Sequence, residues 1–85
     1  MPHFIVIGKD APNTLEKRLS VSPAHIARLQ KLQENHQIVC AGFMPVNGVD
    51  ASGGIIGSTL VVDFANREAL DAWLADEPYV IEGVY

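Results

Sequence analysis

One histidine and two carboxylates are the side chains in this sequence whose types and positions could perform acid–base chemistry. His25 lies in the segment Ser-Pro-Ala-His-Ile-Ala-Arg-Leu, residues 22–29. Imidazole titrates near neutral pH, so this ring could accept and donate a proton during a reaction. A contacting carboxylate would orient the ring, and Asp10 and Glu77 are the two candidates. The sequence leaves open which of them is the partner, and whether His25 only caps or packs the helix.

Arg18, Ser58 and Tyr79 are further candidates for contact with a bound molecule. A guanidinium binds anionic oxygens, so Arg18 could hold one, and the hydroxyl of Ser58 could hydrogen-bond the same ligand. Tyr79 could form a wall of the pocket. Each residue also has an ordinary alternative, which is a solvated charge for Arg18, a strand-start hydroxyl for Ser58 and core packing for Tyr79.

Other kinds of site find little support in the sequence. Cys40 is the single cysteine, and its place in an apolar strand favours core packing over nucleophilic catalysis. No Cys/His pair has zinc-finger spacing, and a metal site would need His25 together with two nearby carboxylates. Gly53-Gly54 is not followed by Gly-Lys-Ser/Thr, so it is not a phosphate-binding loop. We therefore expect neither a metal nor a cofactor.

The helix that carries His25 is predicted to run from residue 22 to residue 35 or 36. Ser22 is a suitable N-cap, and Pro23 would occupy the first helical position, where its missing N–H costs nothing. His25 would then lie in the first turn, on the same face as Leu29 and Leu32. The positive end of the helix dipole would favour a neutral ring there, able to act as a base.

The remaining segments predict an α+β domain of the order β-α-β-β-α-(β), a ferredoxin-like arrangement with an antiparallel sheet. Strands are expected at residues 4–7, 38–43 and 58–64, loops at 9–21 and 44–57, and a second helix from an Asn66 cap to about Asp76, with a fourth strand beginning at 80–85. In that topology one end of the sheet collects the end of the first strand, the start of the first helix, the 43–58 loop and the end of the second helix. Asp10, His25 and Glu77 would converge there.

Composition limits the class of protein. The 85 residues, 1–85, fit one domain, and a net charge of −4 with six Lys and Arg argues against nucleic acid. No apolar run approaches the roughly 18 residues of a membrane span, and the N-terminus does not resemble a signal peptide. We expect a cytoplasmic protein. A chain this short, 48% apolar and without a disulfide, is expected to be a homodimer.

Several short motifs, in order along nearly the whole chain, resemble the YciI family of small bacterial α+β proteins. They are Lys17-Arg18-Leu19, Pro23-Ala24-His25-Ile26-Ala27-Arg28-Leu29, Ala41-Gly42 with Met44-Pro45, Gly57-Ser58-Thr59, Ala72-Trp73, and Pro78-Tyr79 with Gly83-Val84-Tyr85. The resemblance implies a ferredoxin-like dimer of the dimeric α/β-barrel type. It also implies a site built on His25, with Asp10 and the Glu77-Pro78-Tyr79 motif as acidic counterparts.

This chain departs from the family pattern at three points. Glu77 stands where the family has aspartate, and Phe43 stands where a proline is common, so Phe43 would reshape the substrate pocket. The chain ends at Tyr85, where family members continue through a last strand, and we expect that strand to be truncated here.

Two functions fit these observations. The first is a small cofactor-free enzyme, a lyase or an isomerase-like protein, acting on a phenolic or enolisable small molecule. The resemblance implies dehydrochlorination of a chlorinated hydroxyhydroquinone as an example of such a reaction. The second is a non-catalytic module that binds a small ligand in the same pocket.

Overall fold

The computed structural model describes residues 2–85, which form a three-stranded sheet and three helices. The elements in chain order are β1 (His3–Lys9), α1 (Leu15–Glu34), β2 (Ile38–Pro45), a short 3₁₀ turn (Ala51–Gly53), β3 (Ile55–Asp63), α2 (Arg67–Ala75) and α3 (Pro78–Ile81). The sheet order is β1-β3-β2, and β3 is antiparallel to both neighbours. The predicted α+β fold with an antiparallel sheet is therefore confirmed.

The core lies between the sheet and helices α1 and α2. Burial alternates along β3, so Leu60 and Val62 face inward and are almost inaccessible. They pack against Leu32 of α1 and Leu70 of α2, with Phe64 closing the cluster. These apolar side chains supply most of the free energy that holds the layers together, because each removes a large hydrocarbon surface from water.

The start of α1 differs from the prediction. The helix begins at Leu15, seven residues before Ser22, and Pro23 lies inside it. Leu, Glu, Lys and Arg are favourable helix residues, so the segment after Thr14 forms two helical turns ahead of the proline. His25 consequently lies in the interior of α1. The expectation that the helix dipole keeps its ring neutral is therefore wrong, because that effect is confined to the first turn.

The C-terminal segment also differs from the prediction. Residues 78–81 form the short helix α3, with Pro78 at its first position, so the fourth strand predicted at 80–85 is wrong for these residues. After α3 the chain turns at Gly83, which has φ +74°. The carbonyl of Val84 then accepts a hydrogen bond from the Ala11 N–H at 2.6 Å. Residues 78–85 thus cover the end of β1 and bring α3 beside α1.

The second face of the sheet carries apolar side chains that none of the helices within residues 2–85 covers. Ile5 and Ile7 of β1 are 70% and 62% exposed, and Ile5 pairs with Val61 of β3. Cys40 of β2 pairs with Val61 from the other side and is exposed, so its predicted core position is wrong. Among residues 2–85, no helix is both long and apolar enough to cross a membrane.

Candidate functional site

His25 and Glu77 form a buried contact between α1 and the start of α3. The Nδ1 atom of His25 lies 2.5 Å from Oε1 of Glu77. Glu77 is 1% exposed and His25 is 6% exposed. Glu77 occupies the N-cap position of α3, directly before Pro78, so the turn into that helix aims its carboxylate at the middle of α1. Of the two carboxylates left open by the sequence, Glu77 is the one that contacts the histidine.

Tyr79 holds the face of the histidine ring. Its ring stacks on His25 with centroids 4.1 Å apart and planes 22° from parallel, and it is 1% exposed. The hydroxyl of Tyr79 shares a hydrogen bond of 2.8 Å with Oγ of Ser22. The guanidinium of Arg18 also lies over the Tyr79 ring, 4.5 Å from its centroid. Ser22 therefore binds a site residue instead of capping a helix.

Arg18 is buried in a network that involves Asp10 and Ser58. Its Nε and Nη2 atoms donate to the two carboxylate oxygens of Asp10 at 2.6 and 3.0 Å, and Nη2 donates to Oγ of Ser58 at 2.7 Å. Burial alone lowers the pKa of Arg18, but the hydrogen bond and the charge of Asp10 outweigh it, and the net shift is upward. Arg18 is thus charged, and Asp10 pairs with it instead of with His25.

Tyr85 completes this network from the C-terminal segment. Its ring meets that of Tyr79 edge-on, with centroids 5.4 Å apart, and packs closely on the backbone of Gly8, where a Cβ atom would overlap the ring. Burial raises the pKa of Tyr85, although its hydrogen bond with Ser58 acts in the opposite direction. The phenol therefore stays protonated at neutral pH.

A cavity of about 180 Å³ opens beside these side chains. Its lining consists of Arg18, Ser22, His25, Ile26, Leu29, Ala41, Gly42, Phe43, Ser58, Leu60 and Tyr79. The lining combines polar side chains with apolar ones, and Phe43 is half exposed. Because Glu77 occupies Nδ1 of His25, Nε2 is the ring nitrogen left for a molecule in this cavity. The arrangement can take a proton from a small ligand while charged and hydroxyl donors hold its oxygen atoms.

Most of the residues that the sequence singled out are brought together here. His25, Arg18, Ser58, Tyr79 and Phe43 line the cavity. Glu77 contacts His25, and Asp10 contacts Arg18, without lining the cavity themselves. The predicted convergence is found, although α1 reaches the site from its first turn, with Arg18, to its middle turns, with His25.

Three polar or aromatic residues of the site were not predicted from the sequence to belong to it. Ser22 is predicted only as a helix cap, and Tyr85 only as part of a strand. Arg28 donates to Oε2 of Glu77 at 3.0 Å and to the carbonyl of Trp73 at 2.8 Å. The spacing of three residues between His25 and Arg28 was the available signal, because such residues are neighbours on a helix surface. Within residues 2–85, no three His, Cys, Asp or Glu side chains form a group suited to a metal ion.

The chain is similar to a described family and to proteins of several bacteria. Residues 2–85 match the YCII-related domain. Relatives named Protein YciI from Escherichia coli O6:H1 and Shigella flexneri are each 43% identical over 84 residues, which cover 96% of this chain and 86% of theirs. An uncharacterised protein of Haemophilus influenzae is 40% identical over 85 residues, covering 98% and 87% of the two chains.

A solved structure has a similar fold, with a TM-score of 0.84 over 98% of this chain and 84% of the other. It is the 5-chloro-2-hydroxyhydroquinone dehydrochlorinase TftG from Burkholderia phenoliruptrix AC1100, in complex with 2,5-dihydroxybenzoquinone. The two sequences are 24% identical, so the likeness establishes the fold alone.

Proposed function

The chain belongs to the YCII-related family, and from the buried His25–Glu77 pair beside a small cavity we propose that it is a cofactor-free acid–base enzyme. Its substrate is a phenolic or enolisable small molecule. The single observation that carries this proposal is the 2.5 Å contact between His25 Nδ1 and Glu77. A carboxylate on one ring nitrogen leaves the other nitrogen free to accept a proton from the substrate.

Each further residue has a part in this reaction. His25 is the base, and Glu77 orients its ring. Arg18 and Ser58 bind an oxygen atom of the substrate, and Asp10 fixes the direction of the Arg18 guanidinium through both its carboxylate oxygens. Tyr79 and Phe43 form walls of the cavity. A charged donor aimed at an enolate or phenolate oxygen stabilises the charge that develops as the proton leaves.

Elimination of chloride is one reaction that this arrangement suits. In a keto tautomer of the phenol, in which the chlorinated carbon is tetrahedral, a hydroxyl proton would pass to Nε2 of His25. The O–H electron pair would form a carbonyl, the adjacent C=C pair would shift towards the chlorinated carbon, and the C–Cl bond would break to release chloride and leave a quinone. The similar fold of a dehydrochlorinase supports this choice. A cavity of about 180 Å³ suits a single-ring molecule better than a larger one.

The alternative function is a binding module that holds the same kind of ligand without turnover. It would use Arg18, Ser58 and the apolar wall in the same way, and His25 would act only as a hydrogen-bonding group. Catalysed change of the ligand is what separates the two functions.

A second copy of the chain is the partner that fits the uncovered sheet face. Ile5 and Ile7 expose apolar surface on that face, and large exposed apolar patches on small domains mark interaction sites. We therefore include a homodimer in the proposal. Light scattering should give twice the chain mass at micromolar concentration, and a stable monomer would contradict it.

The test of function starts from a screen of single-ring phenols, chlorophenols and enolisable ketones, with products followed by mass spectrometry. On any substrate found, His25→Gln should lose about 10²–10⁴-fold of the rate, because an amide cannot take a proton. His36→Asn is the matched control, since it removes an exposed imidazole from the turn that follows α1 and should leave the rate unchanged. If His25→Gln keeps most of the rate, His25 is not the base.

A further inference from the structure

We propose that Arg28 is a positioning residue that fixes the tautomer of His25, with its proton on Nδ1, by holding the charge of Glu77. The expected effect on turnover rests on the proposed function, whereas the expected effect on the His25 tautomer does not. Arg28 does not line the cavity of the site, and it acts on His25 through Glu77.

Arg28 is held rigidly by three different contacts. Its Nη1 atom donates to Oε2 of Glu77 at 3.0 Å, and its Nη2 atom donates to the backbone carbonyl of Trp73 at 2.8 Å. Its guanidinium also lies over the Trp73 ring, 4.4 Å from the centroid. A planar, forked cation can make all three contacts at once, whereas a lysine ammonium cannot.

Glu77 needs such a partner because it is almost completely buried. A carboxylate removed from water is costly in its charged form unless cations or hydrogen-bond donors compensate it. One oxygen of Glu77 meets the histidine and the other meets Arg28. Arg28 is the only one of these two partners whose charge does not depend on pH in the neutral range.

The charge on Glu77 determines where the imidazole proton resides. Opposite a charged carboxylate, Nδ1 must carry the hydrogen and donate it, which leaves a lone pair on Nε2. Without Arg28, the buried carboxylate is balanced only if a proton is taken up by the pair. Either His25 becomes an imidazolium, or Glu77 is protonated and Nδ1 becomes the acceptor. In both states Nε2 carries a hydrogen and cannot act as a base.

The other charged group near the ring leaves this argument intact. Arg18 lies over the Tyr79 ring, on which His25 stacks, but both carboxylate oxygens of Asp10 balance its charge. Arg28 is therefore the cation that serves Glu77.

The experiment is nitrogen-15 NMR of the imidazole groups together with carbon-13 NMR of the Glu77 carboxyl, in the wild type and three variants. In the wild type at neutral pH, we expect a charged Glu77 and a neutral His25 with its hydrogen on Nδ1. In Arg28→Met, we expect that tautomer to be lost and turnover to fall about 10–10²-fold, the range found when partners that orient metal-bound histidines are removed. Arg28→Lys should recover part of both signals, because it keeps the charge but not the fork.

Arg67→Met is the matched control. It removes the same side chain from an exposed pair with Asp71 on α2, with side chains 72% and 55% exposed, and it should change neither the tautomer nor the turnover. A folded Arg28→Met whose ring is still neutral, with its hydrogen on Nδ1 and none on Nε2, would overturn the proposal. If that variant does not fold, the wild-type spectrum decides, since a protonated Glu77 or a hydrogen on Nε2 of the neutral ring would overturn it as well. A correct tautomer in a protein without turnover would contradict only the proposed function.

Discussion

At the scale of single residues, the buried ion pair between Arg18 and Asp10 is expected to contribute to the stability of the fold as well as to the site. Both side chains are almost fully buried, with 5% and 6% exposure. Removing one partner of a buried pair leaves the other charge uncompensated, which costs about 3–5 kcal/mol. We therefore expect Arg18→Met to lower the free energy of unfolding by about that amount, as measured in urea.

The double variant Arg18→Met with Asp10→Leu provides the control for this prediction. Replacing both charges with apolar side chains removes the orphaned carboxylate, so most of the lost stability should return. Turnover should not return, because the oxygen-binding guanidinium is still absent. Equal stability of the single and the double variant would contradict the prediction.

Ionisation of Tyr85 is expected to lower the stability of the fold at alkaline pH. Burial raises the pKa of Tyr85 above its ordinary value of 10.0, so the folded state holds the phenol proton more tightly than the unfolded chain does. The resulting stabilisation is fully present below about pH 10 and is lost as the pH rises through the raised pKa. In urea titrations above about pH 10, wild-type stability should fall more steeply than that of Tyr85→Phe, and parallel curves would contradict this.

At the scale of elements, Pro23 is the clearest case in which a local signal gave the wrong boundary. A proline after a serine is typical of a helix start, but here the helix already runs from Leu15. α1 extends toward the N-terminus beyond Pro23 because the residues before Ser22 favour a helix. Arg18 and Ser22 also make contacts with other elements that hold this part of the helix in place. Those contacts join residues far apart in the chain, so no local pattern could reveal them.

A proline inside a helix removes one backbone hydrogen bond and crowds the preceding turn, at a cost of up to about 3 kcal/mol. Pro23→Ala should therefore raise the free energy of unfolding, by about 1–3 kcal/mol in a urea titration. If the helix instead began at Ser22, the proline would be favourable at its first position. A neutral or destabilising effect of Pro23→Ala would then be observed, and it would contradict the structure described here.

Gly57 is required by the close approach of β3 to β1. A Cβ atom at this position would overlap the carbonyl oxygen of Gly8, near the point where Gly57 pairs with Lys9. Gly57→Ala should therefore separate the strand ends and destabilise the fold by about 1–3 kcal/mol, as other overpacking substitutions do.

Gly42 on β2 offers a matched comparison within the same sheet. A Cβ atom there would meet no atom within 4 Å, so Gly42→Ala should leave the thermal unfolding midpoint unchanged or raise it slightly. If the two alanine variants have equal midpoints, the close approach of the strands is not what requires glycine at position 57.

At the scale of the whole molecule, the order of elements from β1 to α2 followed from apolar periodicity, whereas the C-terminal helix and the geometry of the site did not. The apolar runs that became β1, β2 and β3 were recognisable, and so was the Asn66 cap of α2, which accepts a hydrogen bond from the Ala69 N–H at 2.8 Å. The residue types at the site were recognisable as well. Which carboxylate meets His25 depended on α3, a helix of four residues that carries too little periodicity to be predicted.

The outer face of the sheet is likewise a property of the whole molecule. Sequence patterns placed Cys40 in a strand, but only the register opposite Val61 shows that it shares the uncovered face with Ile5. The helices cover the opposite face and enclose the candidate site. Assembly and catalysis would therefore use opposite sides of one small sheet.

The central claim is that His25 moves a proton on a small enolisable molecule, and deuterium exchange tests it most directly. A substrate found in the screen would be incubated in D₂O with the wild type and with His25→Gln at equal folded fraction, and mass spectrometry would follow incorporation of deuterium at carbon. We predict rapid exchange with the wild type and exchange about 10²–10⁴-fold slower with His25→Gln, the usual value of a positioned base. Equal exchange rates for the two proteins would contradict the claim.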